Sequence, residues 1–232
     1  MKSCHRLALP SSVSPFFQFS SPMAWNVNSK LCSSKAESSP QSTIDRKLAK
    51  NSPEVVILRL GHRLVRDARM STHIGLVSRA FGARSLFVTG ADDETVDSLR
   101  KLTKNWGGEF EVSYVKNWRE FVRKWDGKVA HLTMYGEHLD DIIPRIRGDL
   151  ESASEKKRKL LVVIGAEKVP GDVYKLADYN VAVGNQPHSE IAALAVFLDR
   201  LFMGGELYYL FENARIRVFP NPHGKEVERL LT

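Results

Sequence analysis

Five arginines fall within 21 residues of this sequence: Arg59, Arg63, Arg66, Arg69 and Arg79, with Asp67 as the one acid among them. A guanidinium presents a planar fork of donors that matches a phosphate bidentately, so this spacing suits a polyanionic ligand. It also suits a solvated charged face. Arg79 differs from the other four. It stands four residues after Gly75 in "THIGLVSRAFGA", where apolar residues at 74, 76, 77, 80 and 81 mark a helix, and a charge on that apolar side needs a partner. A second stretch with chemical potential is "GNQPHSEIAALAVFLDRL", Gly184 to Leu201. A polar, turn-rich loop runs directly into a helix that is apolar on nearly every face, and such a helix requires burial on both sides. Ser189 and Glu190 fit an N-cap and a first-turn acid, roles compatible with ligand contact at the same helix end.

Several chemistries are disfavoured. The run His188-Ser189-Glu190 is not arranged as a catalytic triad, whose members converge from different directions, and no G-x-S-x-G elbow is present. His73, His188 and Glu190 lack the spacing of a metal-binding helix, so no metal is expected. Both cysteines, Cys4 and Cys32, lie near the amino terminus, which leaves the body without a disulfide, a thiolate zinc site or a cysteine nucleophile. Neither a G-x-x-x-x-G-K-[ST] phosphate loop nor a G-x-G-x-x-G fingerprint follows a strand. A nucleotide would be held otherwise, and the glycine-bearing "IGAEKVPGD" and "VGNQPHSE" could do so through exposed backbone groups.

The elements that position these residues alternate. Strands are expected at "EVVILRL", "SLFVTG", "FEVSYV", "KVAHLTMYG" (Lys128–Gly136), "LLVVIG" (Leu160–Gly165) and "YNVAVG" (Tyr179–Gly184). Helices are expected between them, including "DDETVDSLRKLTKNW", "NWREFVRKW" and "HLDDIIPRIRGDL", the last bent or split by Pro144. The tail "ELYYLFENARIRVFP" could add an edge strand. The continuous apolar run of "LLVVIG" fits a central parallel strand covered on both faces. The pattern predicts an α/β domain with a mostly parallel sheet flanked by helices. Ligands of such sheets bind beyond the carboxyl ends of the strands. That rule selects "GHRLVRDARMSTH", "MYGEH", "GAEKVPGD" and "GNQPHSE".

The chain has 232 residues, 43% hydrophobic and 26% charged, with a formal net charge of +7. Residues 1–42 carry +3 of that charge, so the body is only mildly basic. No run of 18 apolar residues exists, and no membrane partner is expected. The first 45 or so residues are Ser-rich and acid-poor without periodicity, as organelle transit peptides are. They are expected to be a leader addressed to a plastid or mitochondrion, the alternative being an unaddressed tail on a cytoplasmic protein. The globular domain is expected over residues 54–232.

"LRLGHRLVRDARMSTHIGLVSRAFGA", "HLTMYG", "IGAEKVPGDVYKLADYNVAVGNQPHSEIAALAVFLDRL" and the closing "GKEV" together resemble the archaeal tRNA (cytidine-56) 2′-O-methyltransferase family of the SPOUT superfamily. The resemblance covers about Glu54 to Val227. It implies a parallel sheet whose carboxyl-terminal part is tied into a deep trefoil knot, S-adenosylmethionine as cofactor, tRNA as substrate, and a homodimer with the last knot helix in its interface. The implied cofactor contacts are Leu132, then Gly165, Ala166, Glu167, Lys168 and Val169, then Val183, Gly184, Asn185, Gln186, Pro187, His188, Ser189 and Glu190. "HIGLVSR" also resembles a motif of related ribose methyltransferases, which implies a catalytic role for Arg79; His73 stands where those relatives have Asn. Arg59, His62, Arg63, Arg66 and Arg69 are the candidate tRNA contacts. The alternatives are an inactive RNA-binding member of the same fold, a methyltransferase with a different RNA target, and an unrelated α/β nucleotide-binding enzyme, which the missing fingerprints disfavour.

Overall fold

The computed structural model describes residues 52–61, 68–90, 93–165 and 169–230. Six strands form one sheet: β1 (Glu54–Leu60), β2 (Ser85–Val88), β3 (Glu111–Tyr114), β4 (Lys128–His138), β5 (Lys159–Gly165) and β6 (Tyr179–Ala182). Their order is β3-β2-β1-β5-β4-β6, and every pairing is parallel. The apolar run Leu160–Ile164 is fully buried in β5, between β1 and β4, as a two-sided parallel strand requires.

Among the described residues six α-helices flank the sheet: α1 (Ala68–Ala80), α2 (Asp93–Trp106), α3 (Trp118–Arg123), α4 (Leu139–Ser152), α5 (Asp172–Leu176) and α6 (Glu190–Phe202). Ile74, Leu99, Ile142, Ile146, Leu194 and Phe197, from α1, α2, α4 and α6, pack on Val55, Ile57, Val162 and Val181. Val122 of α3 and Val173 of α5 pack on Val56, Leu58, Leu161 and Val163 on the opposite face. The α/β class with a parallel sheet is therefore the observed one.

Two local expectations change. Pro144 neither splits nor ends α4, which runs unbroken from Leu139 to Ser152. It is exposed near the start of the helix, and Leu139, Ile142, Ile143, Ile146 and Leu150 bury the opposite stripe, which offsets the hydrogen bond that proline cannot donate. The tail does not extend the main sheet. It pairs with itself as an antiparallel ribbon of β7 (Ile216–Phe219) and β8 (Glu226–Arg229). The expected leader lies outside the described residues.

Candidate active site

A cleft of about 920 Å³ opens where β4, β5 and β6 end. That is the place the parallel topology reserves for a ligand. Its apolar walls are Leu132, Ile164, Val169, Val183 and Ala193. Its polar rim is made by Gln186, His188, Ser189 and Glu190 at the head of α6, and Met70 reaches it from α1.

The wall at β4 comes from an interruption of the ladder. Leu132 pairs with Val181, and so does Glu137. The register shifts across the four residues between them, and Thr133, Met134 and Tyr135 border the cleft. Gly136 returns the chain across β6, where a Cβ would meet the Asn180 carbonyl and, at 2.6 Å, the Val181 nitrogen. Asn185 Nδ2 donates to the Met134 carbonyl at 2.8 Å, which ties the loop after β6 to this stretch.

The head of α6 is fixed in two ways. Ser189 Oγ accepts from the Ile191 N–H at 3.2 Å as an N-cap. Glu190 Oε1 receives Arg59 Nη2 at 2.9 Å, and Arg59 Nη1 donates to Ser71 Oγ at 2.7 Å. Arg59 is fully buried, so it joins β1, α1 and α6 beneath the cleft.

Beside this, His131 forms a polar cluster with β6 and α5. Its Nδ1 lies 2.9 Å from Asn180 Oδ1, and Asn180 Nδ2 donates to the Tyr174 carbonyl. Thr133 and Tyr174 share a hydroxyl–hydroxyl bond of 2.7 Å at the cleft wall. Burial holds the His131 imidazole below the usual histidine range, against an opposing contribution from the Asn180 hydrogen bond.

The cleft brings together Leu132, Gly165, Val169, Val183, Gln186, Pro187, His188, Ser189 and Glu190. Ala166, Glu167, Lys168, His62, Arg63 and Arg66 lie outside the described residues. Gly184 does not border the cleft; its φ of +125° shapes the loop instead. Asn185 also acts behind the surface, through Met134. Among the arginines, Arg69 is exposed on α1 next to Met70.

Two expectations are corrected here. Arg59 is not a surface RNA contact, because its guanidinium is enclosed and engaged with Glu190 and Ser71. Arg79 is not brought to the cleft of its own chain. It sits at the far end of α1, buried, and donates to the carbonyls of Trp106 and Gly107 at 2.7 and 2.6 Å while stacking 4.1 Å over the Phe211 ring. It satisfies the end of α2, where carbonyls lack helical partners. Its partner on the apolar side is thus a helix terminus and an aromatic ring.

Met134 and Tyr135 belong to the strand-exit loop "MYGEH" that sequence reasoning selected, whereas it missed His131, Thr133 and Tyr174. The usable signal was polarity inside a strand: His131 sits in the middle of β4, where both neighbouring strands leave no solvent. Among the described residues no three His, Cys, Asp or Glu side chains converge as a metal site, and no helix is long and apolar enough to cross a membrane.

The chain is similar to known proteins over most of its described length. A family profile described as "tRNA ribose 2'-O-methyltransferase, aTrm56" matches residues 106–228. The chain is 53% identical over 182 residues to a tRNA (cytidine(56)-2'-O)-methyltransferase of Methanopyrus kandleri, covering 77% of this chain and 98% of that protein. It is 50% identical over 179 residues to the protein of the same name from Thermococcus kodakarensis, covering 76% and 97%. Among solved structures, a probable methyltransferase from Bordetella pertussis Tohama I superposes with a TM-score of 0.50 at 13% identity, over 69% of this chain and 99% of that one, a likeness of fold.

Proposed function

The chain belongs to the tRNA ribose 2′-O-methyltransferase family of the aTrm56 type, and on that premise we propose that it methylates the 2′-hydroxyl of cytidine 56 in tRNA with S-adenosylmethionine as donor. The observation that carries the reading is the 53% identity spread over 98% of a relative that bears this activity in its name. The residues after Leu132 and the loop Val183–Glu190, two of the stretches that carry the resemblance, wall one cleft.

The cleft suits the proposed donor. Leu132, Ile164, Val183 and Ala193 offer a slot for a flat base from one face of the sheet, and Val169 and His131, whose buried Nε2 has no partner among the described residues, border the cleft from the other. When bound, S-adenosylmethionine supplies an activated methyl group. The chain's own contribution is alignment and removal of one proton, because a ribose hydroxyl is a poor nucleophile at neutral pH. Arg59 holds the head of α6 through Glu190 and so fixes the rim. His188 stands exposed at that rim with Nδ1 3.2 Å from the Ser189 carbonyl, which leaves Nε2 as the acceptor. We assign it the hydroxyl proton. Arg69, exposed beside Met70, is the arginine to which we assign a phosphate contact.

The test uses the full chain, labelled S-adenosylmethionine and an unmodified tRNA transcript, followed by mapping of ribose methylation. A methyl group at cytidine 56 is expected. Methylation at another ribose would replace the target and keep the chemistry, whereas binding without transfer would favour the inactive RNA-binding reading. His188→Ala is expected to lose about 10²-fold in transfer at saturating donor, the usual contribution of a positioned proton acceptor.

A further inference from the structure

The His131 ring is fully buried in β4, one residue before Leu132, and His131 borders the cleft. Its tautomer follows from a chain of contacts. Asn180 Nδ2 donates to the Tyr174 carbonyl at 3.1 Å, so the amide oxygen faces the imidazole and can only accept. Nδ1 therefore carries the hydrogen, and Nε2 of the neutral ring presents a lone pair. That nitrogen is buried and has no hydrogen-bond partner among the described residues. The nearest hydroxyl, Tyr174 Oη, is engaged with Thr133, and the Tyr174 ring stands edge-on to the imidazole at 4.7 Å. A buried acceptor left empty is costly, and a ligand donor would relieve it.

The surroundings narrow the donor. On the face of the sheet that His131 occupies, Val163 beside it in β5 and Val173 of α5 are buried hydrocarbon, and Val169 carries that lining to the cleft. A ribose hydroxyl placed there would satisfy its hydrogen and leave its oxygen against apolar walls. An exocyclic amine on a flat aromatic base brings a donor with an apolar body behind it. We propose that His131 Nε2 accepts a hydrogen bond from the exocyclic amine of the adenine base of the bound methyl donor, which makes His131 a base-specificity residue. The inference rests on the methyl-donor reading above and adds the residue that selects the base. The imidazole serves as an acceptor here and takes no proton.

Calorimetric titration of the full chain tests it with S-adenosylhomocysteine and with S-inosylhomocysteine, in which an oxo group replaces the amine. The wild type is expected to prefer the adenosyl compound by tenfold or more. His131→Leu is expected to lose about tenfold in adenosyl affinity and most of that preference, and His131→Gln, which keeps an acceptor, to recover part of both. Thermal melting of each unliganded variant separates a binding loss from a folding loss. If His131→Leu does not fold, the wild type and His131→Gln decide the question. The proposal is overturned if His131→Leu binds the adenosyl compound within threefold of wild type, or if the wild type shows no preference between the bases. Sensitivity of the His131 effect to removal of a ribose hydroxyl, in place of the amine, also overturns it. Failure of the wild type to bind S-adenosylhomocysteine at all removes the methyl-donor reading itself.

Discussion

At the scale of single residues, the two internal arginines show how much a buried charge depends on its partner. Arg59 Nη2 meets Glu190 at 2.9 Å, with the arginine side chain wholly enclosed and the glutamate 13% exposed. Breaking such a pair from one side leaves a charge in a poor medium, which costs about 3–5 kcal/mol in enclosed cases. The partial exposure of Glu190 places Arg59→Met at the lower end, about 3 kcal/mol, read as a fall in the urea midpoint at pH 7. The double variant Arg59→Met/Glu190→Met is expected to be more stable than Arg59→Met alone, since the carboxylate that lost its guanidinium is removed with it. Equal midpoints for the single and double variants would contradict the pairing argument.

Glu206 is the complementary case. It is buried after α6, and neither carboxylate oxygen has a hydrogen-bond partner among the described residues. Burial, followed by the nearby Asp199 carboxylate, raises its pKa above the usual glutamate range. The folded state therefore binds a proton more tightly than the unfolded chain, whose glutamates titrate near ~4.3. The stability that this provides is complete below the unfolded pKa and is lost as pH rises through the folded one. Glu206→Gln does not titrate, so its melting temperature is expected to rise relative to wild type between pH 5 and pH 8. A difference that stays flat over this interval would mean that Glu206 titrates alike in both states.

At the scale of elements, the same substitution has opposite signs at two glycines. Gly136 crosses β6 so closely that a Cβ would meet backbone atoms of Asn180 and Val181, which cannot rotate away. Gly136→Ala is expected to cost at least the upper end of ~1–3 kcal/mol and to open the β4–β6 crossing. Gly148, inside α4, has nothing within 4 Å of its virtual Cβ. Gly148→Ala is expected to stabilise by ~0.5–1 kcal/mol through helix propensity. Denaturant titration of the two variants checks both signs.

These elements also mark what could be read before any coordinates. Apolar runs such as Leu160–Ile164 and the alternation of strands with helices gave the sheet, and the strand-exit rule chose the loops that now line the cleft. Local pattern reaches no further, because it records which residues are apolar and not what stands opposite them. The spacing of Arg59 and Arg79 suited a phosphate surface, yet β1 lies between β2 and β5, so every residue of "VVILRL" is buried whatever its charge. That enclosure is a fact of strand order. The tail hairpin, the Gly136 crossing and the His131 cluster likewise depend on contacts between segments far apart in sequence.

At the scale of the whole molecule, α6 remains the informative helix. Ala193, Leu194, Phe197, Leu198, Leu201 and Phe202 bury one face against the sheet and the neighbouring helices. The other face carries Ala192 and Val196, with Val196 42% exposed and Met203 67% exposed just beyond the helix end. Around the charged Arg200, Ala192, Val196 and Met203 leave apolar surface that water disfavours, and the family resemblance implies that a second copy covers it. The homodimer that the resemblance implies would bury this outer face of α6. Arginine at position 196 would place two like charges near a twofold axis in an apolar setting, where neither finds a partner. Val196→Arg is therefore expected to shift the mass measured by analytical ultracentrifugation from dimer toward monomer at micromolar concentration. The melting temperature of the separated chain should change little, because residue 196 is exposed within it. A variant that sediments as a dimer like wild type would place the contact elsewhere. A wild type that sediments as a monomer would leave the apolar face of α6 to a different partner, the bound RNA being the one this family's activity supplies.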